Sequence, residues 1–233
     1  MNWLNRLLHK SSTEYFGSKL NASLGFWPSK LTLYKQAFSH SSIDQPKYGN
    51  NERLEFLGDS ILGNVITEYL YHKLPTKNEG VLTDIRSKMV SRRTLNKLAK
   101  KFNIEEFVET NLNGKIPASI LGNTFEALIA AIYLDKGEIF CKKFIIQEII
   151  LKHFSLEQLE KEISSYKKHF IHWTQKNSKE FFFKLLDESG ESHKKNFEIA
   201  IVLEGETIAK ANSSSKKKAE EEASRIACES LNI

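Results

Sequence analysis

Apolar residues recur with helical spacing as far as about residue 153, and then the pattern changes. In "NERLEFLGDSILGNVITEYLYHKLP", residues 51–75, Leu54, Leu57, Ile61 and Val65 fall on one side and Leu62 and Ile66 on another. That spacing predicts a long helix, nearly apolar all round and hence buried, ending at Leu74 or Pro75. "EGVLTDIRSKMV" and "SRRTLNKLAKKF" predict two shorter amphipathic helices. "PASILGNTFEALIAAIYLDKG" predicts another apolar helix, with Gly137 as its C-terminal stop. "EIFCKKFIIQEIILKHF" closes the set, and no segment of this half alternates as a strand.

The polar segment "SLEQLEKEISS", 155–165, reads as a helical tail running into a short linker. Beyond it, "SYKKHFIHWTQKN" predicts a helix, "EFFFKLLDES" a strand, and "NFEIAIVLEGE" a strand with Phe197, Ile199, Ile201 and Leu203 on one face. "TIAKANS" is a weaker third strand, and "SKKKAEEEASRIACESL" a final helix. The expectation is an all-α N-terminal domain over 15–155, a linker over 156–164, and an α+β module ordered α-β-β-β-α over 165–233.

Composition narrows the class. Of 233 residues, 40% are hydrophobic and 27% charged, as in a globular protein. The formal charge of +5 permits a polyanionic partner without demanding one. Two cysteines, Cys141 and Cys228, suit neither a zinc cluster nor a disulfide scaffold. The opening "MNWLNRLLHK" lacks a secretory core, and no run approaches the roughly 18 apolar residues of a membrane span. A cytoplasmic protein without membrane attachment is expected.

The predicted buried helix carries three acids. Glu52, Glu55 and Asp59 lie within about 60° of one another around its axis. Either this end is exposed and Glu52 pairs with a base such as Arg53, or the carboxylates are shielded and need cations or protons. In the second apolar helix Asn123 and Glu126 share a face among Leu121, Phe125, Leu128, Ile129 and Ile132. Packed side by side, the two helices could aim Glu55, Asp59, Asn123 and Glu126 at one point. Such an all-oxygen set suits Mg²⁺ or Mn²⁺, ions that serve phosphodiester hydrolysis.

In the last helix, Ser215 can cap and Lys216, Lys217 and Lys218 occupy the first turn, where cations oppose the macrodipole. The turn reads either as a phosphate site or as a solvated basic turn balanced by Glu220, Glu221 and Glu222. Phe170 and Trp173 read as core rather than as stacking platforms.

"NERLEFLGDSIL", "GNTFEALIAAIYLDKG", "AFSHSS" and "EGVLTDIRSKMVSRRTL" resemble the motifs of the bacterial ribonuclease III family, and the C-terminal module resembles its double-stranded-RNA-binding domain. The likeness runs from about residue 15 to 230. It implies a metal-dependent endoribonuclease, with Mg²⁺ or substituting Mn²⁺ and no organic cofactor, leaving 5′-phosphate and 3′-hydroxyl ends on duplex RNA. It also implies a homodimer, whose contact the apolar faces of the signature helix would supply, acting on ribosomal RNA precursors and structured messages. By the family pattern Glu55, Asp59 and Glu126 match the metal-binding and catalytic acids, and Glu52 helps organise the cleavage site. Asn123 stands where most members carry Asp; it keeps one oxygen and loses a charge, so a weaker site is expected. Lys216, Lys217, Lys218, His193 in "GESH", Gln175 and Glu79 match RNA-contacting positions. Ile171, His172, Ala211 and Ser213 depart from the pattern. The alternative is a catalytically weakened or silent duplex-RNA binder. A helical phosphohydrolase acting on nucleotides would need adjacent His and Asp ligands, whereas His40 is followed by Ser41 and Ser42.

Overall fold

A computed structural model of the chain describes residues 3–112, 114, 116–163, 165–190 and 195–233. It divides into two compact units, Met1–Glu160 and Lys161–Ile233.

The first unit is helical: α1 (Trp3–Leu24), α2 (Leu31–Ala37), α3 (Glu52–Lys73), α4 (Glu79–Met89), α5 (Arg92–Lys101), a 3₁₀ turn (Ile104–Glu106) and α6 (Ala118–Lys136). There follow α7 (Glu138–Phe144), a π-helical stretch (Ile145–Ile150), α8 (Leu151–His153) and α9 (Leu156–Lys161). The central pair is α3 and α6. Leu62, Val65, Ile66 and Leu70 of α3 meet Phe125, Leu128, Ile129 and Ile132 of α6 in one core. Every described residue of α6 from Ile120 to Ile132 except Asn123 and Glu126 is buried, as expected of a helix apolar nearly all round.

The long helix ends at Lys73, with Leu74 as its cap, and Gly137 ends α6 at φ +85°, a conformation glycine adopts without strain. Ser91 and Asn78 cap α5 and α4, their side chains accepting from Thr94 N–H and Val81 N–H. The segment 138–154 is not uniformly α-helical. The wider turn of Ile145–Ile150 brings Ile145, Ile149 and Ile150 inward together, and an i, i+5 pair shares a face only in a π-helix.

Asp135, its side chain fully buried, ties the end of α6 to α2. Its carboxylate accepts from Ser29 N–H, Lys30 N–H and the Tyr34 hydroxyl at 2.8–2.9 Å. Desolvation first, and then Asp135, hold the Tyr34 hydroxyl far above the usual range. His40 is a local fastener: its Nδ1 accepts from Ser42 N–H at 3.0 Å.

The second unit runs α10 (Tyr166–Lys176), β1 (Phe181–Ser189), β2 (Asn196–Leu203), β3 (Glu206–Ser213) and α11 (Lys216–Leu231). The strands form one antiparallel sheet in the order β1-β2-β3. Phe170, Ile201, Leu203, Ala209, Ala211, Ala223 and Ala227 build its core, with Trp173 packed against it. In β2 the alternation is partly masked. Ala200 and Val202 are buried along with Ile199, Ile201 and Leu203, because β2 is the central strand, covered by neighbours on both sides. Both cysteines are free and buried, and burial pushes the Cys141 thiol up to about 12. No described helix is long and apolar enough to cross a membrane.

Candidate active site

Glu52, Glu55 and Asp59 rise from the first two turns of α3, and Asn123 and Glu126 from the first half of α6. With Phe56 they line one cavity of about 480 Å³. Its position depends on Gly58. A Cβ added there would sit 1.7 Å from the Glu126 carbonyl oxygen and 2.5 Å from its carbon. Only a residue without a side chain lets α3 approach the α6 backbone at this point. Gly58 lies directly before Asp59, and what it touches is Glu126 itself. A second close approach follows on α6, where a Cβ on Gly122 would meet Asn96 Oδ1 at 2.8 Å.

The cavity is short of positive charge. Among the described residues none of Glu55, Asp59 and Glu126 forms an ion pair within contact distance. Burial, and after it the charges of Asp59 and Glu55, push the Glu126 carboxyl up to about 7, against a smaller opposing pull from Arg92. Burial also raises Glu55, while hydrogen bonding from Asn123 and the charge of Arg92 hold it down. Desolvated acids that repel one another are stabilised by a proton or by a cation.

Among the described residues no three His, Cys, Asp or Glu side chains close into an ion cage. Four carboxylates and one amide instead face an open cavity. The donor set, all oxygen and unneutralised, fits a hard divalent cation better than zinc.

In the second unit, Ser215 caps α11 by accepting from Lys218 N–H. Lys216, Lys217 and Lys218 are exposed in the turn that follows. Their balancing acids are committed elsewhere. Glu220 pairs with Lys167 at 2.6 Å. Glu221 accepts from the Ser165 hydroxyl and from Tyr166 N–H. Glu222 binds Arg225. The reading of a basic turn neutralised along its own helix is therefore not what the structure shows. Lys216 is partnered differently, 3.2 Å from Glu188 and over the Phe197 ring. Among the described residues Lys217 and Lys218 have no ion pair.

Comparison with known proteins agrees with both halves. The family model described as Ribonuclease-III-like matches residues 30–153, and that of the double-stranded RNA binding motif matches 166–231. A Ribonuclease 3 from Zunongwangia profunda is 42% identical over 97% of this chain and 96% of its own length. The chain belongs to the ribonuclease III family. A Ribonuclease 3 from Flavobacterium psychrophilum is 41% identical over 90% of this chain and 87% of its own length. Two solved nuclease domains of ribonuclease III from Campylobacter jejuni superpose with TM-scores of 0.53 and 0.54. They are 36% and 34% identical, and cover 56% and 59% of this chain and 94% and 96% of theirs. This ribonuclease III thus combines a helical nuclease domain with a duplex-RNA-binding domain and is a double-stranded-RNA endoribonuclease. The family is one of generally metal-dependent nucleases.

The other residues singled out in the sequence lie apart from the cavity's lining. Glu79 opens α4 and accepts from the Thr83 hydroxyl at 2.8 Å. Gln175 is exposed on α10. His193 lies outside the described residues. Sequence reasoning passed over Gly58, Gly122 and Arg92. The glycines were visible as interruptions of two apolar helices, a sign of close backbone approach.

Proposed function

We propose that Glu55, Asp59, Asn123 and Glu126 hold Mg²⁺, with Mn²⁺ a substitute, and that Asp59, Glu126 and Glu52 carry the hydrolysis of duplex RNA. The observation that carries this reading is the cavity where oxygen side chains of α3 and α6 meet with their charges unpaired. The ion would supply positive charge for activating water and for the leaving 3′ oxygen. The chain's own residues do the rest. Gly58 sets the spacing of the two carboxylate-bearing helices. Asn123 lines the same cavity as Glu55 and brings it an amide oxygen without a further charge. Glu126, pushed up by burial and by Asp59 and Glu55 in the metal-free protein, would give up its proton as the ion arrives and offer a carboxylate oxygen to it. Glu52, which accepts from Asn50 Nδ2 at 3.3 Å, is an exposed part of the cavity's lining. The products carry 5′-phosphate and 3′-hydroxyl ends.

In this reading residues 15–155 are the nuclease domain, 156–164 the linker, and 165–233 the RNA-binding domain. Lys216, Lys217 and Lys218 meet phosphates, and Gln175 and His193 serve the adjacent minor grooves, reading A-form shape. Glu79 is placed near the RNA. The active form is a homodimer. Supporting this, Phe56 is 79% exposed beside the cavity, an apolar ring that a second copy can cover. One Campylobacter jejuni structure concerns flexibility in a region involved in dimer formation. The substrates are ribosomal RNA precursors and structured messages, in the cytoplasm.

The test is duplex cleavage against Mg²⁺ for wild type and Asn123→Asp. A fourth carboxylate oriented on the ion lowers half-saturating Mg²⁺ by about tenfold. A wild type that cuts nothing at any Mg²⁺ or Mn²⁺ concentration would leave a silent RNA binder, a reading that no observation here favours.

A further inference from the structure

We propose that a second cavity, of net positive charge, holds one nucleotide of the RNA strand, with its phosphate on Lys35 and Lys47 and its ribose 2′-hydroxyl on Glu109. This assignment rests on the acids of α3 and α6 being the cleavage centre and adds a substrate contact to it.

The cavity is made by the loop between α2 and α3. That loop doubles back through Gln45 at φ +48° and Gly49 at φ +83°. Gly49 N–H donates to the Pro46 carbonyl at 3.1 Å, and Gln36 Nε2 donates to the Asn50 carbonyl at 3.2 Å, which seats the loop on α2. Between them lies a space of about 320 Å³, at the small end of the volumes that ligands occupy.

Its walls include Lys35, Ser39, Lys47, Tyr48 and Glu109. The Lys35 and Lys47 ammonium groups reach the same Tyr48 ring, at 5.6 and 5.2 Å from its centre. Among the described residues neither has an ion pair. Lys35 is half-buried, where a charge without a counter-ion is costly, and contact with an aromatic face returns only part of that cost. Ser39 is 4% exposed, and its hydroxyl meets no partner among the described residues. A buried hydroxyl and two unneutralised ammonium groups around one space call for an anion with several oxygens, which a phosphate supplies.

Glu109 narrows the ligand further. Its N–H donates to the Phe38 carbonyl and its carbonyl accepts from His40 N–H, both at 2.9 Å, so its backbone is fixed alongside Ser39. Its side chain is exposed at the cavity. A carboxylate in the wall of an anion site repels the ligand unless the ligand also brings a donor. A ribonucleotide brings the 2′-hydroxyl, the group that tells RNA from DNA. The same loop leads into the cleavage centre. Tyr48 precedes Glu52 by four residues, at most about 14 Å of chain. Asn50 Nδ2 donates to Glu52, and Asn51 N–H donates to the Ser39 carbonyl at 2.9 Å. A strand held over the acids has a neighbouring nucleotide within reach of this cavity.

The test measures duplex binding by the full-length protein in EDTA, with single 2′-deoxynucleotides placed in turn on either side of the cut. At one position the deoxy change is expected to weaken wild-type binding about fivefold. Glu109→Ala should weaken binding of the all-RNA duplex by a similar factor and lose the sensitivity at that position, so that the two changes do not add. Lys47→Gln, at an exposed residue, should lower the salt slope by about one, and Lys35→Gln with Lys47→Gln by about two. Damage to the fold would weaken ribo and deoxy duplexes in proportion and keep the sensitivity. Additive effects of Glu109→Ala and the deoxy change, or an unchanged salt slope in Lys47→Gln, overturn the assignment of this cavity and leave the cleavage centre standing. Inorganic phosphate that shifts the Tyr48 ring resonances, in a protein with no deoxy-sensitive position, overturns it in favour of a free anion. Full cleavage by Asp59→Asn overturns instead the cleavage centre from which the strand's path is drawn.

Discussion

The two units solve opposite electrostatic problems. In the nuclease unit, like charges of one sign are drawn into partial burial and left without partners, at a cost in stability. In the RNA-binding unit, charges of the other sign stand in solvent at the head of a helix, where desolvation is slight and only the dipole objects. The first arrangement suits a small hard cation, which must be surrounded. The second suits a polyanion, which must be approached from outside. Burial tells the two apart: each site is prepared for the charge it lacks, and each pays for that preparation in a different term, desolvation in one and helix dipole in the other.

The largest effect should come from Gly58→Ala. With a Cβ 1.7 Å from the Glu126 carbonyl oxygen, α3 and α6 must separate. Urea unfolding is expected to show a loss of about 3 kcal/mol, and cleavage should vanish. Normal stability and activity in this variant would mean that the acids do not depend on the close approach.

Glu126→Gln should separate chemistry from folding. Cleavage is lost, yet the metal-free protein becomes more stable at pH 8. The sign follows from burial. Burial, with the charges of Asp59 and Glu55, pushes the Glu126 carboxyl up to about 7 from the ordinary glutamate value of 4.5, so the folded state favours the proton. Its ionisation destabilises the wild type progressively as pH rises from about 4.5 through 7, and the glutamine variant escapes this. Allowing for the half-open setting, the gain is about 1–2 kcal/mol above pH 7 and disappears below pH 4.5. Thermal melts in EDTA across that range measure it, and added Mg²⁺ should narrow the difference.

In the other unit the changes are smaller. Lys217→Ala with Lys218→Ala should weaken binding of every duplex sequence and lower the salt slope by about two. Lys216→Ala alone should do less, because Lys216 already meets Glu188 and the Phe197 ring. Equal losses for the three lysines would refute that ranking. Ser215→Ala removes the cap of α11 and should cost about 1 kcal/mol in a thermal or urea melt.

Much of this was legible in the sequence because it is a matter of period. The spacing of Glu52, Glu55 and Asp59, and of Asn123 with Glu126, puts each set on one helix face, and the structure brings both sets to one cavity. The succession α-β-β-β-α and the serine cap of the last helix were equally readable. Contacts between elements far apart in sequence were not. Periodicity shows that Glu220, Glu221 and Glu222 could reach the lysine turn and that Arg225 stands three residues from Glu222, but not that Lys167 and Tyr166 claim Glu220 and Glu221 first. Nor does it show what Gly58 touches, since an isolated glycine in a helix marks a close approach without naming the neighbour. The π-helical stretch at Ile145–Ile150 escaped for a related reason: burying Ile145, Ile149 and Ile150 together is a tertiary demand.

Asp135 sets a limit on how this chain can vary. The ten residues from Glu126 to Asp135 span a stretch of α6 fixed at one end by the Gly58 contact and latched to α2 and the turn before it at the other. A helix so clamped cannot roll. Inserting or deleting one residue between the two points would rotate the carboxylate by about 100° relative to the latch. Residue types in that stretch can be exchanged, but its length cannot.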